Sequence, residues 1–254
     1  MQKLAGFFLL GVLFLSACSS SSKKEKTEAE VLFNQAERLI KRKSYLQASE
    51  KLSTLRTEHP YSFYATPAQL LQADVLFLQK NYVESASAYL LFKDFHPRHA
   101  KAPYVVWKIA ESYRNQIPTT FDRDLSVANE AIKHYQEILI NYPNSEYVEP
   151  SKKMIDSAQK LFKKKEQYIA DFYFKTKEYQ AARERYLLLL TMLEMEADKL
   201  ISAHAMNRII ESSYKMKDFS ACALYAEQYK DFLDSYIKDR GNECQKLAQL
   251  AESS

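Results

Sequence analysis

The sequence predicts an all-α protein, a row of about five helix pairs behind a short apolar leader. Three observations predict it: glycine is almost absent, small residues recur in register with prolines, and the apolar run at the amino terminus is too short to span a membrane. Of 254 residues, 46% are hydrophobic and 27% charged, enough to bury a core. There are 3 glycines, and Gly6 and Gly11 fall inside the leader, leaving Gly241 alone in the remainder. Without clustered glycines neither a P-loop nor a dinucleotide fingerprint can be written, because backbone N–H groups cannot close on phosphates. Hairpin-rich β folds are not expected either, because their tight turns want φ > 0 and glycine is so scarce. The net charge of +4 comes from lysines interspersed with acids, so no nucleic-acid partner is expected.

The leader, residues 1–17, has Lys3 in a positive start and an apolar run from Leu4 to Leu15, too short to cross a bilayer, which takes about 20 residues. Leu15-Ser16-Ala17-Cys18 resembles a lipobox, in which small residues admit the signal peptidase and the cysteine takes a diacylglycerol and an N-acyl chain. Cys18 is therefore the expected lipidation site, and no other cofactor is expected. Two or three acyl chains on one cysteine hold a protein on a membrane, each buried methylene contributing about 0.8 kcal/mol. Ser19 replaces the aspartate often found in lipoproteins kept in the inner membrane, so the expected location is the outer membrane, facing the periplasm. Residues 18–28 then read as a polar tether that cannot repay the entropy of ordering.

The body carries an internal repeat. Ala36, Ala73 and Ala110 are spaced 37 apart, and a second small column, Ala48, Ser85, Ala131, Ala182 and Cys222, follows. Apolar residues lie four and seven positions after it, as in Tyr89/Phe92, Tyr135/Ile138 and Tyr186/Leu189, which is one helical face. Aromatic residues precede it by three, at Tyr45, Tyr82, Tyr179 and Phe219, and Pro60, Pro97 and Pro143 close second helices. These columns resemble the tetratricopeptide repeat, covering roughly 29–62, 66–99, 102–145, 163–196 and 203–236. Residues 29–147 would hold repeats one to three, and 148–254 a long linking helix to about Lys175 followed by repeats four and five. Repeat three carries about nine extra residues, Asn115 to Asp124. Lys152, Lys153 and Lys163 to Lys165 read as a solvated face or an acidic-partner patch. Met192 to Ala197 would continue as helix.

Catalytic readings find no support. G-x-S-x-G, H-E-x-x-H and C-x-x-C are absent. His96 and His99 have a spacing that could meet a metal but straddle Pro97 at a repeat boundary, so no metal is expected there; His59 and His96, just before closing prolines, are read as turn residues; His134 and His204 are expected to be exposed or capping. Cys222 can serve as a buried free thiol in the small column or pair with Cys244.

Lipobox, tether and five repeats with a loop in the third resemble the BamD (ComL/YfiO) family of barrel-assembly lipoproteins. The likeness rests on His59 to Tyr64, His96 to His99 with Pro103 to Trp107, Asp122-Arg123-Asp124, Asn141 to Tyr147, and Glu166 with Ala181 to Arg185. The resemblance implies a non-catalytic scaffold of the Bam complex that recognises unfolded outer-membrane β-barrel precursors and docks on the POTRA region of a BamA-like insertase. Other assembly lipoproteins would be further partners. Client binding would fall to Tyr61, Phe63, Tyr64, Tyr104 and Trp107, where an aromatic strand end could stack; the competing reading makes these inter-repeat core. Insertase docking would involve Arg185, whose guanidinium suits a carboxylate, against the competing reading of a solvated helix charge. Asp122, Arg123 and Asp124 would form a salt-linked corner shaping the inserted loop. The alternative function is a repeat lipoprotein serving another periplasmic client, a secretin in the manner of a pilotin, or peptidoglycan.

Overall fold

The computed structural model describes residues 26–194 and 197–252. Among these the chain is entirely helical, and its fold is an all-α tetratricopeptide-like solenoid of helical hairpins. The described residues divide into two compact units, one up to Ala68 and one from Gln69 onward, with the boundary inside α3.

The first unit holds α1 (Glu28–Lys41) and α2 (Tyr45–Glu58). Thr27 caps α1, its hydroxyl accepting from the Glu30 N–H at 3.2 Å. The axes approach where side chains are smallest, and both Ala36 and Ala48 are fully buried.

The second unit contains most of α3 (Ala65–Leu78), then α4 (Tyr82–Phe95), α5 (Ala102–Arg114), α6 (Ser126–Asn141), α7 (Val148–Lys175), α8 (Tyr179–Met192), α9 (Lys199–Lys215), α10 (Phe219–Gln228) and α11 (Ser235–Glu252). Ala73, Ser85, Ala110, Ala131, Ala170, Ala182 and Cys222 are all buried, so the columns of small residues mark the lines of closest helix approach. Tyr89, Phe92, Tyr135, Ile138, Tyr186 and Leu189 fill the space beside them. Residue His96 ends α4 and Tyr142 ends α6 at φ near −130°, out of the helical region. In both cases the following proline forces this.

Four hairpins turn in the same way. The N–H of Ser44 reaches back to the Leu39 carbonyl at 2.9 Å and that of Lys43 to Ile40 at 2.8 Å. The pairs Asn81/Lys80, Glu178/Lys177 and Asp218/Lys217 repeat this Schellman pattern.

One expectation is corrected here. Helix α8 does not run on through Ala197: it stops at Met192, and Leu193 is extended at ψ 142°. Leu193 turns inward to join the core of Ala182, Tyr186 and Ile209, and the Glu194 N–H is taken by Asp198 Oδ2 at 3.1 Å. Burial and this bond outweigh local helix propensity; Met195 and Glu196 lie outside the described residues. The chain's last glycine also has a packing reason: a side chain on Gly241 of α11 would overlap the Cβ of Ala226 on α10. Cys222 and Cys244, both fully buried, are joined by a disulfide that ties α10 to α11.

Candidate functional site

In the first unit the turn after α2 presents its aromatics unequally. Ser62 N–H bonds to the His59 carbonyl at 3.1 Å and Ala65 N–H to Ser62 at 3.0 Å, holding the segment compact. Tyr61 is 100% and Phe63 85% exposed. Tyr64 is instead partly covered, its ring 5.3 Å from Phe33 and 5.5 Å from Phe63. The start of α1 and the end of α2 bring ligand atoms of Glu28, Glu58 and His59 within 4.8 Å of one another, a set able to accept a divalent cation.

In the second unit Tyr104 and Trp107 stand on α5. The Tyr104 hydroxyl donates to Asp74 Oδ1 at 2.6 Å, and Tyr89 donates to the same oxygen at 2.5 Å. Burial first, and then the Asp74 charge, push both phenols above their ordinary range. Trp107 stacks on Tyr147 at 5.4 Å, and Tyr147 in turn lies 6.4 Å from Tyr104. Asp74, Lys101, Pro103, Tyr104, Glu146 and Tyr147 line an open cavity of about 480 Å³. Two tyrosine rings and Pro103 beside the carboxylates of Asp74 and Glu146 and the Lys101 ammonium suit the end of a peptide.

Asp74 belongs to a device the sequence reading missed. Tyr135 donates to Glu111 at 2.5 Å and Tyr186 to Asp171 at 2.6 Å. Each acid directly follows a small-column residue, as in Ala73-Asp74, Ala110-Glu111 and Ala170-Asp171, and that offset was the available signal. A further partner joins each acid: Tyr104 for Asp74, Arg114 at 2.7 Å for Glu111, and His204 at 2.9 Å for Asp171.

His134 is not exposed or capping, contrary to expectation. It is 4% exposed, stacked on Tyr113 with ring centroids 5.8 Å apart, and bonded to Glu137 at 3.0 Å. Glu137 also receives Lys93 at 3.1 Å. Burial lowers the His134 value below the ordinary 6.5, with Lys93 and Lys133 acting in the same sense and Glu137 against them. The unfolded chain then binds more protons, so stability rises with pH in this window. On acidification from neutral to about pH 5 the urea midpoint should fall, and His134→Phe should flatten that slope; an unchanged slope in the variant would refute the assignment.

Arg185 on α8 is held by Glu166 of α7 at 3.2 Å, with 40% of its side chain exposed against 17% for Glu166. The inserted loop is organised by hydrogen bonds rather than a salt link. Asp124 accepts from the Ser126 N–H at 3.0 Å and hydroxyl at 2.7 Å, starting α6, and the Arg123 carbonyl accepts from Lys165 at 2.7 Å. Among the described residues no ion pair joins Asp122, Arg123 and Asp124; Arg123 and Asp122 point to solvent, where a pair gains little. Of the other α7 lysines, Lys152 pairs with Glu149 at 2.7 Å and Lys163 with Asp198 at 2.6 Å. Cys18 lies outside the described residues.

Comparison with known proteins decides the family. The model of the YfiO family, described as an outer membrane lipoprotein, matches residues 25–195. The chain belongs to the YfiO family. Relatives carrying the name outer membrane protein assembly factor BamD include that of Rickettsia prowazekii, 27% identical over 214 residues and covering 84% of both chains. That of Vibrio cholerae is 25% identical over 194 residues, 72% of this chain and 80% of the relative. That of Neisseria gonorrhoeae is 24% identical over 229 residues, 84% and 81%. Among solved structures, the TPR2AB domain of yeast Sti1 in complex with pHSP90 aligns at 12% identity over 87% of this chain and 96% of that one, with a TM-score of 0.44. A tetratricopeptide repeat protein of Parabacteroides merdae aligns at 12% identity over 87% and 92%, with a TM-score of 0.39.

The YfiO match spans α1 to α8 and so takes in Tyr61, Phe63, Tyr104, Trp107 and Arg185. It stops before α9, leaving the disulfide hairpin of α10 and α11 outside it.

Proposed function

We propose that this protein is a non-catalytic assembly factor for outer-membrane β-barrel proteins, anchored through acyl chains on Cys18 and facing the periplasm. Unfolded barrel precursors bind the aromatic surfaces, and the C-terminal hairpins dock on the POTRA region of a BamA-like insertase. Membership of the YfiO family supports the assembly role. The observation that carries the client-binding part is Tyr61 and Phe63, two large aromatics held on an ordered turn in full contact with water, where burial by a partner is strongly favourable. Tyr104 contributes a wall of the cavity while its hydroxyl stays committed to Asp74. Trp107 and Tyr64 support these surfaces from beneath. Arg185 keeps part of its guanidinium in water, leaving donors for an acidic partner beside Glu166.

Gentle solubilisation and capture of the tagged chain tests both halves. Wild type should bring down the insertase, and Arg185→Glu should reduce that recovery by about tenfold, as expected for reversing one charge in a close ion pair. Equal recovery would move the contact elsewhere. Absence of the insertase from both, with other outer-membrane complexes intact, would overturn the assembly role. Crosslinking of barrel-precursor peptides should fall with Tyr61→Ser/Phe63→Ser and be indifferent to Arg185→Glu.

A further inference from the structure

Four hairpins place a lysine in the left-handed backbone region: Lys43 at φ 61°, Lys80 at 64°, Lys177 at 67° and Lys217 at 62°. Glycine is the natural occupant of this position in a Schellman turn, and any other L residue there carries a steric cost. All four side chains are exposed, so no buried contact compensates that cost. Three of these turns add an exposed lysine two positions earlier, Lys41, Lys175 and Lys215. Those earlier lysines are accounted for by the negative end of the preceding helix; the left-handed ones are not.

The turns of the fourth and fifth pairs lie side by side. Helix α8 packs with both α7 and α9, and Arg183 in its first turns reaches Ser213 at 3.2 Å and Asp218 at 2.7 Å, in the next turn. That ion pair also neutralises Asp218. The edge thus presents Lys175, Lys177, Lys215 and Lys217 against the exposed acid Glu178. In the third pair the longer turn sets Asp122 and Asp124 around Arg123 and breaks the pattern.

We propose that this lysine edge of the fourth and fifth pairs docks on an anionic lipid bilayer. Lysine rather than arginine dominates these turns, and a mobile point charge fits a field of fluid headgroups better than a fixed carboxylate, which favours the planar guanidinium fork. The inference rests on the anchor proposed at Cys18. Ten residues from Cys18 to Glu28 span at most about 35 Å, so an anchored chain is kept at high local concentration beside the surface. The edge supplies the second, electrostatic signal that orients it.

The mature lipidated chain is reconstituted on neutral phosphatidylcholine vesicles and on vesicles that also contain phosphatidylglycerol, and lysine acylation by an impermeant reagent is followed site by site. At low salt, acylation of Lys175, Lys177, Lys215 and Lys217 should slow by about fivefold on the anionic vesicles and recover in high salt, while Lys153 on α7 is unchanged. Replacing Lys43, Lys80, Lys177 and Lys217 by glycine suits the left-handed turns, so the fold is kept; protection of Lys175 and Lys215 should then be lost. Equal acylation on both vesicles, or protection that survives the glycine variant, overturns the proposal. Protection seen only in native outer-membrane vesicles, and not with phosphatidylglycerol alone, assigns the edge to an acidic protein and overturns it equally. Failure to float with neutral vesicles in high salt refutes the anchor at Cys18 and leaves the anionic-vesicle comparison as the test of the edge.

Discussion

Replacing Asp74 with alanine is expected to lower the unfolding free energy by about 3–5 kcal/mol, because two phenol donors lose one shared acceptor. Tyr89 is fully buried and bonded at 2.5 Å, and Tyr104 is bonded at 2.6 Å. Both hydroxyls converge on the single oxygen Asp74 Oδ1. Both bonds are to a charged group, which makes them stronger than neutral ones. Tyr104→Phe, which removes one donor and leaves Asp74 with Tyr89, should cost about 1–2 kcal/mol. Asp74→Asn should fall between, since an amide oxygen still accepts. Urea denaturation checks all three; a loss below about 1 kcal/mol for Asp74→Ala would show that water replaces the carboxylate. The same variant frees the Tyr104 ring from its place in the cavity wall and should weaken precursor-peptide crosslinking at that cavity while leaving crosslinking at Phe63 intact.

Removing the disulfide as Cys222→Ala/Cys244→Ala is the second large effect. The bridged residues are separated by 22 positions, and closing a loop of that order contributes about 3 kcal/mol. In a row of helical hairpins stability is a sum of local terms, so the loss should appear at the end of the chain rather than throughout. Backbone hydrogen exchange in α11 should accelerate by roughly a hundredfold, with α7 and α8 little changed. Reduction of the wild-type chain should reproduce this. Unchanged exchange in both would mean that packing of Ile237, Met206 and Ile210 holds α11 unaided.

Much of the architecture was legible because a helical repeat writes itself locally. Alanine, serine or cysteine is needed where two helix axes come closest, proline is excluded from all but a few helical positions, and both leave a period in the chain. The same logic located the aromatics that follow the small column. It missed Asp74, Glu111 and Asp171, because an acid beside a buried alanine looks like any exposed helical charge until the tyrosine from the next helix is seen to meet it. His134 was misplaced for a related reason: its cover comes from Tyr113 on another helix.

Sequence alone determined the all-helical class, the spacing of the hairpins and the family likeness, since each rests on covalent order or on residues a few turns apart. Tertiary structure decided what needed distant residues brought together. It ended α8 at Met192 because Leu193 is buried among Ala182, Tyr186 and Ile209. It chose the disulfide over the free thiol by bringing Cys244 to Cys222, and it left Tyr61 and Phe63 in water while drawing Tyr64 against Phe33. The physical reason is common to all three: burial, pairing and exposure depend on which helix lies opposite, and local propensity carries no information about that neighbour.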